Sequence, residues 1–182
     1  AAEKPADSPA LTARYGRSPD RVTTEESAER PALTVCQLVH SCPEELDAIY
    51  RDGTAPSTIS GKVRGTAIPS PGSCFGPARS KATKVVWQGK VFDPCCGTAT
   101  NKFFGLPAVK ANVYSGESWM DGKPALILDY SQTSLVYRNM RDEIREVAPG
   151  LYLGAMYEDH CCGPRLKMYF VLEDPTCCTP CR

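Results

Sequence analysis

The sequence predicts a mainly β protein: seven or so antiparallel strands that close, or nearly close, into a barrel after one short N-terminal helix. Three observations carry this. Period-2 alternation recurs between residues 58 and 172, turn signals separate the alternating stretches at short intervals, and few long helical runs interrupt them. An antiparallel sheet of that kind must hide its edges, and closure removes them. Ten cysteines add the expectation that the loops are joined by disulfides.

Length and charge bound the rest. A chain of 182 residues makes one domain with attachments, or at most two small ones. With 21 Lys/Arg against 21 Asp/Glu the net charge is zero, so no global field gathers the chain onto nucleic acid, which is not an expected partner. No apolar run approaches the ~18 residues of a spanning helix, so a membrane-spanning chain is not expected either. Residues 1–32, with Pro5, Pro9, Pro19 and Pro31 among polar residues, read as a disordered arm. The barrel domain is assigned to 33–173 and a cysteine-rich tail to 174–182.

Within the domain, Pro43 followed by Glu44 and Glu45 marks a helix start and Asp52-Gly53 its end, predicting a helix over about 43–51. Alternation then predicts strands over 58–68 and 84–92, with a turn-rich stretch at 69–77 between them and a loop at 93–100 after them. Short strands follow around 109–113 and 117–120, and another at 124–130. Asp121-Gly122 joins the last two, supplying the positive φ of a tight turn. Residues 135–147 fit one helical face or a charged strand; a hairpin of 141–147 and 151–157 around Pro149-Gly150 is the reading adopted. The last strand, 166–172, is apolar on both faces and so is expected to be covered on both.

The cysteines are Cys36, Cys42, Cys74, Cys95, Cys96, Cys161, Cys162, Cys177, Cys178 and Cys181. So many thiols suit an oxidising compartment, and Ala1-Ala2-Glu3-Lys4-Pro5 without an initiator Met is expected of a mature chain after cleavage. The localisation expected is extracytoplasmic: secreted, periplasmic or plastid lumen. Neighbouring cysteines rarely bond each other, so each pair reaches elsewhere, and bridges from the tail to the 95–96 or 161–162 loops would brace the barrel mouth. Cys178-Thr179-Pro180-Cys181 with His160-Cys161-Cys162 could form two halves of a zinc site, but the even count favours disulfides; no metal and no cofactor is expected. Only His40 and His160 are present, which leaves a histidine-based triad few ways to assemble.

Several segments resemble the GXWXG-type domains, small lipocalin-like proteins of largely unassigned function. They are Gly61-Lys62-Val63-Arg64-Gly65, with Val63 at the family's tryptophan position, Trp87-Gln88-Gly89-Lys90-Val91-Phe92, Leu126 to Tyr130, and Asp142 to Val147 through Leu153 to Met156. The resemblance spans about 46–172 and implies a lipocalin-like barrel around a pocket for a small hydrophobic molecule. Its expected lining is Trp87, Phe92, Val113, Trp119, Leu126, Leu128, Tyr152 and Met168, with Asp129 or Tyr130 fixing orientation. The family supplies no catalytic residue.

Two alternatives stand beside a carrier. An enzyme, an isomerase or hydrolase, would work through Asp129, a strand-end acid whose pKa desolvation could raise. Against that, a strand-end Asp usually caps a turn. A non-catalytic subunit docked on a larger protein assembly is the third. Asp142, Glu143, Arg145 and Glu146 alternate in sign and read as ion pairs on a sheet face.

Overall fold

A computed structural model describes residues 33–69, 71–72 and 76–176, all within one compact unit, Ala32–Arg182. The expected arm at 1–32 lies outside the described residues, as do Cys74, Cys177, Cys178 and Cys181.

Two short helices lead in. Thr34 caps α1 (Val35–His40) through a capping box with Gln37, and α2 (Pro43–Asp52) begins on Pro43 with Glu44 and Glu45 in its first turn. The predicted helix is thus present, one residue longer. α1, and α3 (Gly76–Val86), are additions to the single helix expected.

Eight strands follow the helical lead and form a closed barrel: β1 (Gly61–Ile68), β2 (Trp87–Asp93), β3 (Thr98–Phe103), β4 (Leu106–Glu117), β5 (Pro124–Asp129), β6 (Met140–Ala148), β7 (Leu151–Glu158) and β8 (Arg165–Glu173). Every pair is antiparallel, and β1 closes on β8 with Gly65 opposite Leu172. Several boundaries differ from expectation. Lys84 to Val86 end α3 rather than begin a strand, so β2 starts at Trp87. The expected loop at 93–100 gives way to β3 from Thr98. The two short strands at 109–113 and 117–120 are one, β4; 118–123 is the turn, closed by Gly122 N donating to Ser118 O at 2.8 Å. The hairpin of β6 and β7 around Pro149-Gly150 is as predicted.

The strands alternate, so the wall separates two cores. Inside lie Val63, Ala67, Trp87, Phe92, Ile144, Phe170 and Leu172, among others. Outside, Leu38 of α1 with Leu46 and Tyr50 of α2 cover Leu153, Tyr157, Tyr169 and Val171. β8 contributes to both cores, which is why both of its faces are apolar. Close packing uses two glycines. A Cβ on Gly154 would sit 2.1 Å from Phe170 Cζ, and one on Gly65 would sit 2.6 Å from the Trp87 ring. Val63 points inward, and the indole against Gly65 comes from Trp87 on the neighbouring strand.

Among the described residues, Cys36, Cys42, Cys95, Cys96, Cys161 and Cys162 are unbonded. Cys161 Sγ and Cys162 Sγ are 3.7 Å apart, well beyond a bond. No described helix is long and apolar enough to cross a membrane.

Candidate functional site

At one end of the barrel the interior opens into a cavity of about 160 Å³. This end carries the C-terminal half of β1, the start of β2, the β3–β4 and β7–β8 turns, and residues 130–139. Its walls are apolar: Ala67, Trp87, Phe103, Met156, Met168 and Phe170, with Val86 of α3 and Tyr137 at the mouth.

Four polar side chains form its floor. Lys90 is 2% exposed, and its Nζ donates to Asn101 Oδ1 at 2.7 Å, Asp142 Oδ2 at 2.8 Å and Tyr130 OH at 2.9 Å. Tyr130 OH in turn donates to Asp142 Oδ2 at 2.7 Å and accepts from Asn101 Nδ2 at 2.9 Å. Trp87 Nε1 donates to Asn101 Oδ1 at 3.0 Å. All three ammonium protons therefore have acceptors. The ammonium also lies 5.2 Å from the Phe170 ring centroid and 5.5 Å from that of Trp87, within reach of cation–π attraction. Burial, and then the Asp142 charge, push the Tyr130 hydroxyl well above its ordinary pKa, so it stays a proton donor.

A β-bulge sets this constellation. The β2–β3 register shifts between Trp87 and Lys90, with Gly89 at φ 113°, so Trp87 and Lys90 both face inward although they are three residues apart. On β3, Ala99, Asn101 and Phe103 share the inner face, and on β6 Asp142 and Ile144 do. Asp142 and Asn101 thus carried a period-2 signal that their polarity masked. Lys90 carried a contradictory one, because counting inward from Trp87 selects Gly89 and counting from Phe92 selects Lys90.

The expected lining divides into four groups. Trp87, Tyr130 and Met168 border the cavity. Phe92, Val113 and Leu126 line a second, more polar depression of about 210 Å³ beside Asp93 and Thr98, at the opposite end. Leu128 and Tyr152 are filled core, 0% and 8% exposed, and border neither. Trp119 and Asp129 are corrections. Trp119 is on the outer wall, edge-on to Tyr157 with Arg141 stacked 4.3 Å over its ring, because residues 118–123 turn instead of pairing. Asp129 accepts from Ser131 N at 2.8 Å and from Tyr114 OH at 3.5 Å, so it caps the turn after β5; the pocket carboxylate is Asp142.

The charge alternation on β6 splits between the two faces. Asp142 points in, whereas Glu143 and Arg145, 0% and 1% exposed, lie under α2. Glu143 accepts from Trp119 N at 2.9 Å and lies 3.1 Å from Arg141 Nε. Arg145 clamps Asp121 with bonds of 2.7 and 2.8 Å and donates to the Pro124, Lys123 and Tyr50 carbonyls. His40 is exposed, its Nδ1 2.7 Å from Cys36 O, and His160 is exposed in the β7–β8 turn. No cluster of three metal-binding side chains occurs among the described residues.

No protein-family model and no curated protein matches the chain. Among solved structures, a crystal structure of a protein from Thermomonospora curvata is similar at 16% identity and a TM-score of 0.49, over 76% of this chain and 92% of that one.

Proposed function

We propose that the chain is a lipocalin-like carrier, of the GXWXG type its sequence resembles, that holds a small hydrophobic molecule unchanged in the barrel. The observation that carries this reading is an apolar-walled cavity ending on the Lys90, Asp142, Tyr130 and Asn101 cluster. A buried ion pair is a weak source of stability, since desolvation offsets most of its attraction. Its value here is orientation: one polar group on a ligand meets a fixed array of donors and acceptors while the rest displaces water from apolar walls.

Size narrows the ligand. A cavity of roughly 150 Å³ accommodates benzene, whereas sites for drug-sized molecules run to roughly 300–1,000 Å³. The fit is to one ring, or a short branched chain, bearing a single polar substituent. Titration calorimetry with phenol, toluene and a long-chain fatty acid tests this. Phenol is expected to bind more tightly than toluene, the fatty acid is excluded, and Met156→Trp abolishes binding by filling the space. Binding of the fatty acid alone, or binding indifferent to Met156→Trp, overturns the reading. If the bound compound is converted, and Asp142→Asn stops conversion while sparing binding, the isomerase or hydrolase alternative replaces the carrier. Co-purification with a large partner and no small molecule supports the assembly subunit instead.

An oxidising compartment completes the reading. Glu173 ends β8 at the same end of the barrel as the β2–β3 turn with Cys95 and Cys96; the β7–β8 turn with Cys161 and Cys162 is at the other end. Cys177 is four residues past Glu173, a reach of at most about 14 Å, while the nine residues of β8 span about 30 Å. Of the two loops, the 95–96 turn is therefore the partner proposed for Cys177 and Cys178.

A further inference from the structure

Around the cavity mouth the protein exposes large apolar side chains on three separate segments: Val85 and Val86 (68% and 40% exposed), Phe104 and Leu106 (69% and 70%), and Leu135 and Val136 (90% and 84%). They share one end of the barrel. Phe104 N donates to Val86 O at 2.9 Å, joining the first two segments, and Thr133 Oγ1 donates to Lys110 O, tying the third to β4. Phe104 is presented deliberately. With Phe103 opposite Leu106, the β3–β4 turn consists of Phe104 and Gly105 at φ 50° and 83°, a two-residue turn that ordinarily takes Asn-Gly and here holds an aromatic ring at its tip.

Charge is sorted along the same axis. Segments 76–86, 101–110 and 131–139, which carry these side chains, contain six Lys/Arg and no Asp/Glu in a chain whose net charge is zero. Lys84, Lys102 and Arg138 each lie within two residues of an exposed apolar tip, whereas Lys110 is near enough to Asp93 to act on its charge. The strand ends and the β7–β8 turn add Asp129, Asp159 and Glu158, the last paired with Lys167, to the cavity end, followed by Arg165. At the opposite end, segments 93–97, 117–123, 146–150 and 173–176 contain six Asp/Glu and one Lys.

We propose that the cavity end of the barrel docks on an anionic lipid surface, the apolar tips entering the headgroup region and the ring of cations meeting lipid phosphates and carboxylates. A second copy fits this face poorly, because joining two such rims sets Lys84, Lys102 and Arg138 of one against the same three cations of the other. The proposal stands independently of what the cavity holds.

The test is sedimentation of the full chain with vesicles of phosphatidylcholine, with and without phosphatidylserine. Binding to the phosphatidylserine vesicles is expected, weakened by salt. Each cation removed should lower partitioning about fivefold, so Lys84→Gln/Lys102→Gln/Arg138→Gln loses about a hundredfold. Phe104→Ser/Leu135→Ser/Val136→Ser should lose about tenfold or more. Near-UV circular dichroism checks the fold of these variants. Phe104→Trp supplies a direct reading, a blue shift of its fluorescence on anionic vesicles. Absence of vesicle binding, binding indifferent to the cations, a Phe104→Trp spectrum unmoved by lipid, or a dimer that the tip substitutions abolish would each overturn the proposal.

Discussion

Replacing Lys90 by Met keeps the length and apolar stem of the side chain and removes only the ammonium. Asp142, whose Oδ2 accepts from both Lys90 at 2.8 Å and Tyr130 at 2.7 Å, is left with the tyrosine in a site where its side chain is 4% exposed. Asn101 Oδ1 loses its shortest bond. Removing one partner of a buried pair costs about 3–5 kcal/mol, because the remaining charge has nothing to offset its desolvation. Domains of this size are stable by about 5–15 kcal/mol, so the variant should fold with much of its margin gone. At about 2–4 °C per kcal/mol, the melting temperature should fall by about 6–20 °C. Lys90→Met/Asp142→Leu removes both charges and should recover much of the loss, giving a coupling of about 2 kcal/mol or more in a double-mutant cycle from urea unfolding. A single-variant cost under about 1 kcal/mol, or additive costs, would mean that water or a rearranged partner satisfies Asp142, and the preorganised floor of the cavity would be refuted.

Three further outcomes follow from other sites. The Arg145 guanidinium holds the Asp121 carboxyl down to about 2 from its ordinary 3.8; the folded chain takes up that proton less readily than the unfolded one, so the stabilisation is complete above 3.8 and is lost as pH falls towards 2. Urea midpoints measured across that window should decline more steeply for the wild type than for Asp121→Asn. Gly154→Ala places a methyl group 2.1 Å from Phe170 Cζ in a closed interior and should cost about 1–3 kcal/mol, read by thermal unfolding; a neutral effect would show that the ring moves freely. Non-reducing peptide mapping of protein from its native source should link Cys177 or Cys178 to Cys95 or Cys96, and a link to Cys161 or Cys162 would contradict the reach of the chain.

The barrel was legible because β5, β7 and β8 are short apolar runs, buried on both faces and bounded by turn residues, and because Pro149-Gly150 is an unambiguous hairpin turn. Boundaries blurred where local chemistry misleads. Val85 and Val86 are β-branched and read as the start of a strand, yet they finish α3. Phe104-Gly105 lacks the usual turn residues, so β3 went unseen. Within the site, Trp87, Tyr130 and Met168 were readable as inward apolar or aromatic positions. Lys90 and Asp142 were not, since a charge in a strand ordinarily marks the solvent face, and the bulge at Gly89 that lets Trp87 and Lys90 both face inward sets the two countings against each other. Asp129 attracted notice for the same reason in reverse: the sequence shows an acid at the end of an apolar strand, whereas its bond to Ser131 N is a turn geometry.

The seam between β1 and β8 has a kinetic meaning. Strands β2 to β8 each pair with the strand just before or after them in the chain, and hairpins of that kind zip through short closures. Gly65 and Leu172, by contrast, must find each other across more than a hundred intervening residues, and the entropy of that closure is lost before any contact repays it. The meander is therefore expected to assemble ahead of the seam, whose pairing converts a curled sheet with two bare edges into a cylinder. Ala67, which borders the cavity, sits on that seam opposite Phe170. The last pairing expected to form is thus the one that completes the wall of the chamber.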